Sequence, residues 1–161
     1  MKRLVVTTFA VALLLSLTVA RAGEPRRCFG RGLTIEGTSE SERIPGTPGQ
    51  DVIFGGGGKD YILAGDGRDL VCGGWGRDSL IGGNGGDRLS GQANGDLLEG
   101  RKGDDLLSGD GRGDVLYGQA GRDRLMGRAD RDLCRITRDD LRASSCEGDP
   151  VDSDHGAPST S

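Results

Sequence analysis

Apolar and polar residues recur along this chain with a period of nine. From residue 46 to 135, ten consecutive units each end in Asp, any residue, an apolar residue and any residue, without a slip in phase. Numbering each unit from 1 to 9 puts the Asp at position 6 and the apolar residue at position 8. The Asp residues are Asp51, Asp60, Asp69, Asp78, Asp87, Asp96, Asp105, Asp114, Asp123 and Asp132. A short, fixed period of this kind predicts a solenoid.

Strand and turn signals alternate within each unit. The last four residues alternate in polarity, which predicts a short strand whose position 8 side chain points inward. The residues before them are rich in glycine and predict a turn. Two units then complete one 18-residue turn of a flattened coil. The predicted fold class is all-β: a parallel β-roll, that is, a right-handed β-solenoid with two nonapeptides per turn over residues 46–135.

Caps are predicted at both ends of the roll, because an open strand edge invites further pairing. Ile35 and Ile44 continue the apolar spacing without an Asp, so residues 23–45 are interpreted as an N-terminal cap. The phase breaks after Arg135. A Thr-x-x-acid sequence at residues 137–140 predicts a short helix or turn in a C-terminal cap over residues 136–148. Residues 149–161 are polar and are predicted to be a disordered tail.

The start of the chain has the pattern of a secretory leader. Lys2 and Arg3 precede a mostly apolar run, and residues 20–22 read Ala-Arg-Ala, the small-x-small form of a cleavage site. We predict a signal peptide over residues 1–22 and a secreted, extracellular protein. The alternative, an uncleaved anchor, is weaker because a span needs about 20 apolar residues. Cleavage would leave 18 basic and 25 acidic residues, a net charge of −7, which disfavours nucleic acid and anionic membrane as partners.

Four cysteines in an exported chain predict two disulfides. The sequence alone does not separate the three possible pairings, but Cys134 and Cys146 are close and bracket the end of the repeats, so we pair them. Cys28 and Cys72 then remain for each other. In perfect coil register those two would lie roughly 10 Å apart, beyond disulfide reach, so the N-terminal arm must leave the coil path. The segment containing Phe29, Leu33 and Ile35 is predicted to cover the apolar outer surface of the early units.

Alternation of the units between the two sides of the coil places the Asp residues in two rows. The first row contains Asp51, Asp69, Asp87, Asp105 and Asp123, and the second contains Asp60, Asp78, Asp96, Asp114 and Asp132. Carboxylates about 4.8 Å apart repel one another, and a divalent cation between adjacent turns would remove that repulsion. Ca²⁺ fits best because it accepts six to eight oxygens, backbone carbonyls included. All ten Asp residues are therefore candidate metal ligands, and four gaps on each side allow at most about eight ions.

The units resemble the RTX, or hemolysin-type, nonapeptide G-G-x-G-x-D-x-U-x; examples are GGGGKDYIL, GGWGRDSLI and GGNGGDRLS. The leader and the cysteines are similar to those of small exported calcium-binding proteins of actinobacteria. The resemblance implies calcium held between turns by Asp carboxylates and glycine-turn carbonyls. Turn glycines are replaced in later units, so sites between Gly55 and Asp105 are favoured. The replacements are Gln92, Asn94, Arg101, Asp110, Arg112, Gln119, Arg128 and Asp130.

We expect a monomeric, exported calcium-binding protein whose folding and stability depend on the ion. Glycine supplies 31 residues and aromatic residues only 4%, so a conventional core is not available and metal binding would supply the missing stability. We do not expect an enzyme, since Ser-His-Asp catalysis would need His155 in the tail. The alternative hypothesis is a calcium-dependent adhesion module that binds cell-wall or cell-surface polysaccharide.

Overall fold

The computed structural model describes residues 27–137, 139, 142–144 and 146. The predicted signal peptide and the predicted disordered tail lie outside the described residues. Every regular element in the described part is a β-strand. No helix long and apolar enough to cross a membrane occurs among these residues.

Fifteen strands follow one another in the described part of the chain. They are β1 (Arg27–Cys28), β2 (Arg31–Gly32), β3 (Ile35–Glu36), β4 (Arg43–Pro45), β5 (Val52–Gly57), β6 (Tyr61–Asp66), β7 (Leu70–Trp75), β8 (Ser79–Asn84), β9 (Arg88–Ala93), β10 (Leu97–Lys102), β11 (Leu106–Asp110), β12 (Val115–Ala120), β13 (Arg124–Arg128), β14 (Leu133–Arg135) and β15 (Arg142–Ser144).

Strands β3 to β15 form the two parallel sheets of a β-roll. One sheet has the order β4-β6-β8-β10-β12-β14, and the other has the order β3-β5-β7-β9-β11-β13-β15. Each strand pairs with the strand two places further along the chain, so that Ile53 lies beside Val71 and Leu98 beside Leu116. The register is therefore 18 residues, and the predicted parallel β-solenoid with two units per turn is confirmed.

One apolar side chain per unit builds the core. The position 8 residues stack into a ladder in which nearly every side chain is fully buried: Ile53, Ile62, Val71, Leu80, Leu89, Leu98, Leu107, Leu116, Leu125 and Cys134. Complete burial of one such side chain contributes about 1.5–3 kcal/mol. The ladder holds the two sheets together with very few large residues.

The strands are longer than the sequence pattern predicts. The six-residue strands begin at position 7 and continue through position 3 of the next unit, as β5 does from Val52 to Gly57. Residue pairing skips position 1 in the described six-residue strands; in β5 and β7 it passes from Phe54–Cys72 to Gly56–Gly74. Positions 1 to 3 of a unit therefore belong to the end of a strand, and the loop between strands consists only of positions 4 to 6.

An antiparallel hairpin, β1 with β2, covers the outer face of the seven-stranded sheet beside β5 and β7. Cys28 is fully buried and is bonded to Cys72 with a Cα–Cα distance of 5.7 Å. The predicted pairing is confirmed, and so is the departure of the arm from the coil path. Phe29 extends the cover, since the Arg88 guanidinium lies 4.7 Å from its ring centroid. Ile35 was expected in the cover but instead belongs to β3, in register with β5.

The 18-residue register continues past Arg135, although the sequence pattern breaks there. Strand β15 pairs with β13 and places Arg142 beside Arg124, which is the same 18-residue step. The free edge of β13 provides backbone hydrogen-bonding groups, so the ladder extends without a further Asp. Of the predicted helix or turn, residue 139 has the turn, while residues 138, 140 and 141 lie outside the described residues. The Cys134–Cys146 pairing is confirmed, with a Cα–Cα distance of 5.5 Å.

Adjacent leucines provide a test of the core ladder. Leu107→Ala should lower the free energy of unfolding in calcium by about 2–5 kcal/mol, because it leaves a cavity at a fully buried position. Leu106→Ala, one residue earlier and only half-buried, should cost much less. Urea denaturation followed by circular dichroism measures both. Equal losses would contradict the assignment of position 8 as the core.

Candidate metal centre

All ten position 6 Asp residues are buried, with no more than 4% of any of them exposed. The structure places them in the two predicted rows and joins each row by hydrogen bonds. The amide N–H of Asp51 donates to Oδ1 of Asp69 at 2.8 Å, and that of Asp60 donates to Oδ1 of Asp78 at 2.9 Å. The same bond recurs up both rows, from Asp69, Asp78, Asp87, Asp96, Asp105 and Asp114 to the Asp 18 residues ahead. One carboxylate oxygen of each acceptor therefore ties neighbouring turns together.

The second carboxylate oxygen, Oδ2, has no hydrogen-bond partner at nine of the ten Asp residues. These are Asp60, Asp69, Asp78, Asp87, Asp96, Asp105, Asp114, Asp123 and Asp132. A buried polar group without a partner costs about 1–3 kcal/mol, and a charged one costs more. Nine such atoms in two regular rows require a positively charged or proton-donating partner.

At seven of these Asp residues the Oδ2 atom lies against the glycine at position 1 of its own unit. The unit of Asp69 has Ala64 at that position instead. A Cβ on Gly73 would lie 2.6 Å from Oδ2 of Asp78 and 2.9 Å from the carbonyl oxygen of Gly91 in the next turn. The space beside Gly55 is lined in the same way by Asp60 and the Gly73 carbonyl, and it borders the core side chain of Ile62. Two oxygens from successive turns thus converge at a place that a side chain would fill.

Burial changes the acid–base chemistry of these rows. It raises the pKa of Asp69 to about 6, of Asp105 and Asp114 to about 7, and of Asp96 to about 8. Loss of hydration is the largest cause; the amide of the Asp in the preceding turn lowers each pKa, and neighbouring carboxylates raise it. The pKa is raised by burial also at Asp60, Asp78, Asp87 and Asp132.

The donor atoms suit a hard cation. Within the described part of the chain, no three His, Cys, Asp or Glu side chains come close enough together to hold a metal. A metal here must therefore combine carboxylates with main-chain carbonyls. Ca²⁺ accepts this mixture in flexible geometry, whereas Mg²⁺ demands a tight octahedron and Zn²⁺ prefers nitrogen and sulfur ligands. The rows fit calcium.

The loops beside the rows have two left-handed residues each, at positions 2 and 4. This holds for nine loops, from the one with Gly56 at position 2 to the one with Arg128 at position 2. Where the residue at position 2 or 4 is glycine, its φ is between 100° and 140°. The residues that replace glycine at positions 2 and 4 also have a positive φ, but their φ values are lower, from 65° to 81°. These are Gln92, Asn94, Arg101, Asp110, Arg112, Gln119, Arg128 and Asp130. The loops therefore keep two left-handed residues after substitution, but the φ angles at these residues are smaller than those of glycine.

Asp51 differs from the other nine. Its Oδ2 accepts hydrogen bonds from the amide of Thr47 at 2.7 Å and from the Thr47 hydroxyl at 2.9 Å. Its Oδ1 accepts from the Thr34 hydroxyl at 3.2 Å. The loop before it is closed similarly, because the Thr38 amide donates to the Glu42 carboxylate at 2.6 Å. Sequence reasoning treated Asp51 as equal to the rest; the signal it missed was Thr47 at a position 2 that is glycine in the next four units.

Comparison with protein families finds the RTX calcium-binding nonapeptide repeat in four copies, at residues 36–71, 45–80, 73–107 and 99–134. The matched residues cover more than half of the chain. The protein belongs to this family of calcium-binding repeats, and its repeats form a calcium-binding type of β-roll. No curated protein matches the chain.

The raised pKa values predict an unusual pH dependence for the calcium-free protein. A folded-state pKa of about 6 to 8, above the usual 3.8, means that the folded roll holds more protons than the unfolded chain between pH 4 and 8. The free energy of unfolding should therefore fall as the pH rises from 5 to 8. Urea midpoints of metal-free protein at the two pH values measure this. A higher midpoint at pH 8 would contradict the burial of these carboxyl groups.

Proposed function

We propose that this protein is an exported calcium-binding β-roll whose folding and stability depend on Ca²⁺ bound at the two Asp rows. The observation that carries the proposal is the repeated, buried Oδ2 atom that no hydrogen bond satisfies. A bound cation would neutralise carboxylates of successive turns and so join turns that otherwise repel.

Nine Asp residues are the candidate ligands under this proposal, from Asp60 to Asp132. Position 1 carbonyls of the next turn, such as that of Gly91, lie beside the same position 1 glycine as the unpartnered oxygen and are candidate main-chain ligands. Asp51, the tenth candidate, would close the first loop through Thr47 rather than bind an ion. Without Asp51, candidate ligands flank three gaps in the first row and four in the second, so the number of ions would stay below the eight that four gaps on each side allow.

Folding should be coupled to calcium because the core is thin. Most units bury a single apolar residue, and only residues 64–81 add Ala64, Cys72 and Ile81, while each unit also buries a carboxylate. A ligand that binds the folded state alone adds RT ln(1 + [L]/Kd) to stability for each site. Sites with Kd of about 10⁻⁴ to 10⁻³ M would suffice outside cells.

Two features support the proposal of export. The disulfides Cys28–Cys72 and Cys134–Cys146 suit an oxidising compartment. The leader-like residues 1–22 and the net charge of −7 predicted after cleavage agree with an extracellular cation-binding protein. Polysaccharide adhesion stays a prediction from the sequence, and the calcium proposal does not depend on it.

The direct test is to remove calcium from the purified protein with EGTA and to record circular dichroism and the melting temperature. We expect loss of β signal or a lower melting temperature, with recovery on adding Ca²⁺ and little recovery with Mg²⁺ at the same concentration. An unchanged spectrum and melting temperature in EGTA would overturn the proposal.

Two variants in the first row distinguish an Asp that binds calcium from an Asp that only accepts hydrogen bonds within its loop. Asp87→Asn should stabilise the calcium-free protein by about 1–3 kcal/mol, because it removes a buried charge with an unsatisfied oxygen. The same variant should gain less stability from calcium than the unmodified protein does. Urea denaturation with and without Ca²⁺ measures both effects.

Asp51→Asn is the matched control. It should lose a hydrogen bond to Thr47 and cost about the same with and without calcium, because the ion would not contact this side chain. If Asp51→Asn reduced the calcium-dependent gain as much as Asp87→Asn, the distinction between the two residues would be wrong.

A further inference from the structure

The two Asp rows have different loops at position 4. In the first row this position is glycine in every unit: Gly49, Gly67, Gly85, Gly103 and Gly121. In the second row it is Gly58 and Gly76, and then Asn94, Arg112 and Asp130. All three replacements therefore lie on one side of the roll, in its C-terminal half.

The first-row glycines allow a close main-chain approach between turns. A Cβ on Gly85, Gly103 or Gly121 would overlap the carbonyl oxygen of the position 4 glycine in the preceding turn. Their φ values of 126° to 140° are open to glycine rather than to other residues. A row of position 4 carbonyls therefore faces the next turn along the whole first row.

These loops are also tied at the same point by main-chain hydrogen bonds. The amides of Gly67, Gly85 and Gly103 donate to the position 3 carbonyl of the next turn at 2.7–2.8 Å. The first row thus repeats one left-handed loop geometry at position 4 from Gly67 to Gly121. Carbonyl oxygens aimed into the gaps between turns are the ligands that calcium would add to the Asp carboxylates.

The second row begins in the same way and then changes. Gly76 approaches the Gly58 carbonyl as its first-row equivalents approach theirs. From Asn94 onward φ drops to 80°, 65° and 69°, because a residue with a Cβ cannot occupy the glycine geometry. An open depression lined by Arg112, Gly113, Asp130 and Arg131 lies beside the last loops of this row.

Position 2 strengthens the contrast. In the later second-row loops both left-handed residues are replaced, at positions 2 and 4, whereas in the first row only position 2 is replaced, by Arg101 and Gln119. One second-row replacement makes other bonds between turns. Asp110 accepts hydrogen bonds from Ser90 and Ser108 and pairs with Arg128 at 3.0 Å. These side chains join three successive turns without a metal.

We infer that in the C-terminal half of the roll calcium binds only along the first row, in the gaps between Asp87, Asp105 and Asp123, and not in the second-row gaps from Asp96 to Asp132. The inference rests on the proposed function and narrows it. The sequence predicts a uniform decline of sites toward the C-terminus; the structure instead indicates a roll with calcium on both sides at its start and on one side at its end.

Asp105→Asn and Asp114→Asn are a matched pair for the test. They lie in consecutive units on opposite rows, both are at least 97% buried, and both have an unpartnered Oδ2. Native mass spectrometry of the full chain in calcium counts the bound ions. We expect Asp105→Asn to lose at least one ion and Asp114→Asn to lose none, with circular dichroism confirming that both are folded.

A gain of sites provides an independent measurement if Asp105→Asn does not fold. Asn94→Gly combined with Arg112→Gly restores the first-row loop sequence at two successive turns of the second row and should add at least one ion. Equal losses in the two Asp variants, no loss in either, or no gain in the glycine variant would overturn the inference while leaving calcium binding intact. Absence of calcium from the unmodified protein would overturn the proposed function as well.

Discussion

Each half-turn of this roll ends in a carboxyl group that has been removed from water. One oxygen accepts the amide of the Asp in the preceding turn, which fixes the stacking distance and the 18-residue register. Except at Asp51, the other oxygen finds no donor, and in most units it lies against a position 1 glycine beside the core. The close packing of small residues at position 1, the raised pKa values and the demand for a cation all follow from that single placement.

The first loop shows how the chain satisfies such a group without metal, and the later turns carry side-chain bonds of another kind. At the start, Thr47 supplies both an amide and a hydroxyl to Asp51. Toward the end, side chains that replace position 2 glycines contact Glu99. Arg101 pairs with it within β10, and Gln119 donates to it from the neighbouring strand β12. Exposed pairs of this kind contribute little individually. They nevertheless occur in the turns where glycine has been replaced and the backbone differs most from that of the glycine-rich loops.

The period of the sequence was enough to predict the register, the buried ladder and the two Asp rows, because stacking repeats one local arrangement. Features that depend on departures from the period were not predictable in the same way. The closure of Asp51 depends on where the Thr47 amide points, and the continuation through β15 depends on a free strand edge rather than on an Asp. The sequence does contain the difference between the two rows. It is seen only when position 4 is compared at intervals of 18 residues, which is the spacing within one row.

The disulfides also define how the roll would respond to tension. Cys28–Cys72 and Cys134–Cys146 each enclose a segment at one end of the roll. A force applied to the two ends of the chain would pass through these bonds and bypass the enclosed segments. Within the roll, only the residues between Cys72 and Cys134 could then unfold under tension, one turn after another. The segments enclosed by the two disulfides would not lengthen.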